Sequence, residues 1–183
     1  SSNPLERINE KIDFAAMVPL QLENSLDQLG KVKTLIVGGG QINPQLVGKL
    51  QSVETQIFET YGMTETLTHV AIKPLNDPNK FDVFQALDGI RFEKDDRGCL
   101  VIHAPMLNPK PIVTNDLVKL VDEKSFRWLG RFDNVINSGG VKIIPEVVEV
   151  KLASIIPNSR FFIVGFPDES LGEKVVLVVE GDE

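Results

Sequence analysis

The sequence predicts an α/β fold built in three consecutive parts: an α/β unit, a small antiparallel β subdomain, and an α+β piece that stops just after a strand. Three observations carry this expectation. A compact β-branched run, Val32 to Val37, ends on Gly38-Gly39-Gly40 and is followed by helical spacing and a second strand. From about Val70 to Leu129, short strand-like runs alternate with turn clusters. After Arg131, a glycine-centred segment leads into a helix and two more strands.

Taken in order, Asn24 to Leu29 reads as a short helical segment closed by Gly30. The Val32 to Val37 strand follows, then a helix from Pro44 to Leu50, whose proline suits a first turn. Val53 to Phe58 alternates as the next strand. Strand, glycine turn, helix and strand make one unit of a parallel sheet. One such unit cannot cover both faces of its strands, so sheet partners are expected outside the chain. The antiparallel part is expected from Gly89 to Glu93, Cys99 to His103, Leu117 to Asp122 and Phe126 to Leu129. Its hairpin connectors are Asp95-Asp96-Arg97-Gly98 and Asp122-Glu123-Lys124-Ser125. In the last part, Ile136 to Ile144 carries Gly139-Gly140 in its middle, and Pro145 to Ile156 is expected as an amphipathic helix. Phe161 to Gly165 and Lys174 to Glu180 are the closing strands. No repeat or low-complexity segment is present.

Composition narrows the function. Among 183 residues, 42% are apolar and 25% charged, which is ordinary globular usage. The net charge of -7 argues against a nucleic-acid surface. Cys99 is the only cysteine, which excludes an internal disulfide and a cysteine zinc site and fits a reducing cytoplasm. No apolar run approaches the roughly 18 residues that span a bilayer. The opening Ser1-Ser2-Asn3-Pro4 is unlike a secretory signal. With no initiator Met, the chain reads as an excised piece whose first residues come from a tag.

Four constellations bear on chemistry, and each has two readings. Tyr61-Gly62-Met63-Thr64-Glu65-Thr66 follows a strand. It offers an aromatic face, a close backbone approach, a hydroxyl for phosphate and a carboxylate for Mg²⁺. It also reads as a turn in which Thr64 caps a short helix with Glu65 in the first turn. Gly38-Gly39-Gly40 is either a tight turn or a backbone laid against a flat ligand. Its spacing fits neither a dinucleotide fingerprint nor a Walker loop. Thr114-Asn115-Asp116-Leu117 precedes a strand and Gly130-Arg131-Phe132-Asp133 follows its partner. Asp and Arg there suit a ribose diol and a phosphate, or an ordinary turn and surface ion pair. Asn137-Ser138-Gly139-Gly140-Val141-Lys142 before Pro145-Glu146-Val147-Val148-Glu149 is either a glycine hairpin leading to a capped helix or the wall of a narrow slot for an extended thiol. His69 and His103 stand alone, without ligand spacing, and read as structural or exposed.

The order of these strings resembles the adenylate-forming (AMP-binding) superfamily of acyl-CoA synthetases, adenylation domains and luciferases, from about Leu35 to Glu183. The resemblance implies the end of a large AMP-binding domain over residues 1–132, and the start of a small swinging C-terminal domain over 133–183. It implies that Gly38, Gly39 and Gly40 line an adenine pocket with Thr60, Tyr61 and Gly62, Tyr61 stacking on the base. Thr64 would touch phosphate and Glu65 would hold Mg²⁺. Asp116 would bind the ribose with help from Arg131, and Asp133 would be the hinge. Gly139 and Gly140 would wall the pantetheine tunnel, and Lys142 would reach phosphate in the other conformation. Asn115 departs from the family's Thr-Gly-Asp, which puts the local turn in question. The family's phosphate loop and its catalytic C-terminal lysine have no counterpart here, so the 183-residue chain alone is expected to be inactive.

Asp13 to Gln21, Phe84-Gln85-Ala86-Leu87 and Pro111 to Asp116 look like o-succinylbenzoate–CoA ligases of menaquinone biosynthesis. The implied partners are a small aromatic acid, ATP (yielding AMP), Mg²⁺ and coenzyme A, in the cytoplasm, with a homodimer left open. Two alternatives stand beside this: an aryl-acid adenylation domain that loads a carrier protein, and a non-catalytic nucleotide-binding module.

Overall fold

The computed structural model describes residues 1–77, 82–156 and 159–181. Strand β1 (Ile12–Met17) leads through helix α1 (Pro19–Glu23) and a 3₁₀ turn (Leu26–Lys31) into β2 (Val32–Val37). Helix α2 (Pro44–Leu50) returns the chain to β3 (Gln56–Gly62). These three strands pair in parallel, with Ala16 beside Ile36 and Ile36 beside Phe58. In α2, Pro44 takes the first turn and the Asn43 side chain accepts from Gln45 N–H at 2.8 Å, so the sequence signal has its expected cause.

Strand β3 starts at Gln56, not Val53. Thr55 is buried with its hydroxyl donating between Leu29 O (2.6 Å) and Val32 O (2.8 Å), while the Asn76 amide takes up Val53 O and Thr55 O. Those side-chain bonds occupy the backbone that would otherwise begin the strand.

The antiparallel strands are β4 (His69–Pro74), β5 (Phe84–Ala86), β6 (Arg91–Lys94), β7 (Cys99–His103), β8 (Ile112–Asp122) and β9 (Ser125–Arg131). They do not form a separate sheet. β4 pairs with β3, and one nine-stranded sheet runs β1-β2-β3-β4-β5-β9-β8-β7-β6. What divides it is the core beneath. Leu22, Leu29, Leu35, Val37, Leu46, Leu50 and Ile57 pack under the parallel half. Phe84, Phe92, Leu100, Ile102 and Phe126 pack under the antiparallel half, Phe92 meeting Phe126 edge to face at 4.9 Å between centroids.

A second, four-stranded sheet has the order β11 (Val141–Ile143), β10 (Ile136–Ser138), β13 (Gly172–Val179), β12 (Phe161–Asp168). Helix α3 (Pro145–Leu152) is shorter than expected and carries no broad apolar stripe: its buried residues are Pro145 and Glu146, while Val150 is exposed. Its N-cap, Ile144, makes no side-chain capping bond. Glu146 reaches out of the helix to the end of β9. Its Oε1 accepts from Asn134 Nδ2 at 2.6 Å and from Arg131 N–H at 3.3 Å. Its Oε2 lies where a Cβ on Gly130 would sit, at 2.3 Å, so only glycine admits the contact. Among the described residues no helix is long and apolar enough to cross a membrane.

Candidate functional site

Asp116 is the centre of the best-built polar cluster. It is 5% exposed and lies within β8; the Thr114-Asn115-Asp116 string, expected as a turn ahead of a strand, is itself extended strand. Strand pairing sets Asp116 opposite Arg131. Its Oδ2 accepts from the Tyr61 hydroxyl at 2.6 Å. Its Oδ1 accepts from Trp128 Nε1 at 3.1 Å and Arg131 Nη1 at 3.3 Å. Its own N–H donates to Thr114 Oγ1 at 3.0 Å. A carboxylate offers about four acceptor positions, and three are taken here. Burial, and then the adjacent Asp116 charge, push the Tyr61 phenol well above its ordinary range, so it is held as a proton donor.

The ring of Tyr61 is embedded rather than free. It lies 5.1 Å from Phe126, edge to face, and 5.7 Å from Phe84 between centroids. Arg131 continues the cluster to Asp133 at 3.5 Å. Asp133 sits on a 3₁₀ turn (Phe132–Asn134) where the nine-stranded sheet ends. Asn115 Nδ2 also donates to Asp133, at 3.2 Å, and Asn115 Oδ1 accepts from Arg97 Nη1 at 2.9 Å. Sequence alone does not single out Trp128 and Arg97 as parts of this cluster, and it names Asn115 only as a departure from the family's Thr-Gly-Asp. Their partners lie 12 to 18 residues away, and only strand register reveals them.

The glycines form the other side. Gly38 follows β2, and a Cβ there would meet Thr60 Oγ1 at 2.2 Å, so the Thr60 hydroxyl holds its place over the strand end because position 38 is glycine. Thr60 donates to Val37 O at 3.2 Å. Gly62 lies at a bulge against β4, where a Cβ would strike Thr68 O at 2.5 Å. Gly38, Gly39, Thr60 and Gly62 line a cavity of about 530 Å³ at the ends of the parallel strands. Gly40 packs near Pro19 instead.

Thr64 and Glu65 stand exposed on a short 3₁₀ turn, Thr64–Thr66. Thr64 does not cap it. The fully buried Thr66 does the tying: its hydroxyl receives Met63 N–H at 2.9 Å and reaches Thr68 O at 2.7 Å. Gly139 and Gly140 form the β10–β11 turn, Gly139 N–H donating to Leu171 O at 2.8 Å, and Lys142 pairs with Asn137 in β11. No hydrogen bond or ion pair among the described residues joins these three to the Asp116 cluster. Among the described residues there is also no group of three His, Cys, Asp or Glu side chains able to hold a metal ion alone.

Residues 5–91 match the AMP-binding enzyme family. Over 197 aligned residues the chain is 29% identical to the 2-succinylbenzoate–CoA ligase of Lactococcus lactis, covering 97% of this chain and 44% of that protein. An acyl-CoA synthetase (AMP-forming)/AMP-acid ligase II-like protein from Dyadobacter fermentans superposes with a TM-score of 0.68 at 37% identity, over 100% of this chain and 55% of that one. A variant of Escherichia coli MenE with bound OSB-AMS gives a TM-score of 0.75 at 26% identity, over 97% of this chain and 43% of that one. The chain thus spans about half the length of the relatives it matches. The match to the AMP-binding enzyme family thus lies within residues 5–91, and the fold is shared along the whole chain with an acyl-CoA synthetase (AMP-forming)-like protein.

Proposed function

We propose that the protein carrying this chain activates an aromatic carboxylic acid, 2-succinylbenzoate, first as an acyl-adenylate and then as its CoA thioester, in menaquinone biosynthesis in the cytoplasm. The observation that supports this most directly is the Asp116 cluster. A buried carboxylate with one open acceptor position, beside a phenol and a guanidinium, suits a ribose diol. One ribose hydroxyl takes the open position; the second replaces the Arg131 bond, the longest of the three at 3.3 Å. Arg131 so released is placed for phosphate. The names of the matched relatives support the choice of acid and of CoA.

In this reading the acid's carboxylate oxygen attacks the α-phosphate of ATP, pyrophosphate leaves, and the CoA thiol then displaces AMP from the acyl carbon. Gly38, Gly39 and Gly40 let the base approach the backbone with Thr60, Tyr61 and Gly62. Thr64 donates to phosphate. Glu65, exposed on its turn and free of any described ion pair, fits one ligand position of a Mg²⁺ whose other ligands are phosphate and water; that ion neutralises phosphate charge when bound. Residues 1–132 act as the adenylate-binding body and 133–183 as the moving lobe, with Asp133 as the hinge. Gly139 and Gly140 then wall the thiol channel, and Lys142 meets phosphate in the alternate orientation.

The test is CoA-thioester formation by the complete reading frame with ATP, Mg²⁺, CoA and a panel of aromatic acids, with Asp116→Ala alongside. The expected result is thioester from 2-succinylbenzoate, reduced on the order of 100-fold by the substitution, as loss of a charged hydrogen-bonding partner implies. AMP and pyrophosphate without thioester would point to carrier-protein loading. No adenylate from any acid, with AMP still bound, would point to a non-catalytic nucleotide module.

A further inference from the structure

The 3₁₀ turn Phe132–Asn134 stands between the large sheet and the second one, and each of its three side chains is held from a different place. The Arg97 guanidinium lies over the Phe132 ring, 5.2 Å from its centroid. Asp133 accepts from Arg131 Nη2 at 3.5 Å and from Asn115 Nδ2 at 3.2 Å. Asn134 Nδ2 donates to Glu146 at 2.6 Å. Arg97, on the β6–β7 hairpin, and Asn115, in β8, thus reach the turn from the large sheet.

Asn115 adjoins Asp116 in sequence but shares none of its side-chain partners. Its amide sits between an obligate donor and an obligate acceptor: Oδ1 accepts from Arg97 Nη1 at 2.9 Å, and Nδ2 faces the Asp133 carboxylate. An aspartate at this position could accept from Arg97 but would set a second carboxylate against Asp133, and a glycine would span nothing. Arg97 is itself firmly placed. Asp95 Oδ1 closes the hairpin turn by accepting Arg97 N–H and Cys99 N–H, each at 2.9 Å, and Asp95 Oδ2 accepts from Arg97 Nε at 2.8 Å. Arg97 Nη2 donates to Thr114 O at 3.0 Å. The two donors to Asp133 therefore differ in what they depend on. Arg131 is shared with Asp116, and in the ligase reading a ribose hydroxyl displaces it there. Asn115 has its anchor in Arg97, which nucleotide leaves in place.

We propose that Asn115 is a positioning residue, a latch on the hinge carboxylate Asp133 that keeps the second sheet in the orientation seen in this structure whether or not nucleotide is bound. Arg131 supplies a second hold, which nucleotide removes. In this orientation Lys142 pairs with Asn137 in β11 and has no bond to the Asp116 cluster among the described residues. The latch favours the step made in this orientation and must open for the other. The inference rests on the ligase reading, which supplies the hinge and the displaced Arg131, and it adds a control of the swing that a glycine at position 115 would lack.

The test measures the distance between spin labels at Lys119→Cys in β8 and Lys174→Cys in β13, two exposed positions, in the complete reading frame with and without saturating AMP. Cys99 is buried and takes no label. Urea unfolding checks that each variant is folded. In the original protein one distance should dominate in both conditions. With AMP bound, Asn115→Gly should lower the weight of that distance against the others by about 2- to 10-fold, the range for one hydrogen bond in a two-state ratio. Without AMP the loss should be smaller, because Arg131 then still holds Asp133. Asn115→Asp should lower the weight further through like-charge repulsion. Combining it with Asp133→Asn, which again sets a donor against an acceptor, should restore the distance, an exchange that a merely structural Asn115 would not give. A distribution unchanged by both single substitutions with AMP bound overturns the inference and leaves the nucleotide site standing. So does a double variant that behaves like Asn115→Asp alone. Failure of the original protein to bind AMP overturns the ligase reading and this inference with it.

Discussion

At Asp116 three donors converge on one buried carboxylate, and Tyr61 makes the shortest of the three bonds. Removing that donor isolates its contribution, because Tyr61→Phe keeps the ring that packs on Phe84 and Phe126. The Asp116 oxygen would then lose a charge-assisted bond in a site that water reaches poorly. The expected loss is about 1–3 kcal/mol of stability. It should appear in urea unfolding as a lower midpoint with an unchanged slope, together with weaker AMP binding. An unchanged midpoint would mean that water replaces the phenol without cost.

The turns carry a separate prediction, at the scale of elements. Asp122 closes the β8–β9 hairpin by accepting Lys124 N–H at 2.7 Å and the Ser125 hydroxyl at 2.9 Å. Asp168 closes the β12–β13 hairpin by accepting Ser170 N–H at 2.9 Å and Leu171 N–H at 3.0 Å. The backbone N–H groups, from Lys124 at one turn and Leu171 at the other, hold both carboxyls below the usual carboxylate range. A depressed folded-state pKa means stability that is complete above the unfolded value, about 3.9, and lost as pH falls through the folded one. Thermal midpoints should therefore drop on acidification below about pH 4. Asp122→Asn should flatten part of that drop, and identical pH profiles for the two proteins would refute the assignment.

The same elements explain what could be read in advance. The strand Val32–Val37, the helix Pro44–Leu50 and the strand Cys99–His103 have the bounds that sequence gives, because glycine and proline mark their ends. Strands β1, β4 and β5 went unread, although Pro74 ends β4 and Pro19 follows β1 closely. Nor does any local signal tell that β5 pairs with β9, or that Trp128 meets Asp116. Those facts depend on partners far along the chain. Likewise the need for sheet partners was legible as an expectation, but the cavity at the strand ends, lined from β1, β2, β3 and β4, shows only in the fold.

For the whole molecule, Glu146 is the side chain that ties the two sheets. It is buried, it holds Asn134 and the Arg131 N–H, and its Oε2 has no hydrogen-bond partner among the described residues. A half-satisfied carboxylate is a weak clasp: strong enough to set an orientation, and poor enough to release one. Glu146→Ala should raise amide exchange in β10 to β13 while β2 and β3 keep their protection, at a cost of roughly 1–3 kcal/mol for the stranded partners. Equal exchange gains in both sheets would show that Glu146 supports the fold generally instead of the junction.

Strand β5 has one more effect. It is three residues long, and in the order of the large sheet it links β4 to β9, through Ala71–Ala86 and Ile72–Gln85 on one side and Phe84–Phe126 and Gln85–Ser125 on the other. The bond between Tyr61 and Asp116 bridges this same join, 55 residues apart in sequence. The aromatic core crosses it as well, Val70 and Ala71 of β4 packing with Phe84 and Phe126. The residues read as the nucleotide site thus span the shortest strand of the large sheet, so a ligand bridging Tyr61 and Asp116 would act as a stitch across that seam.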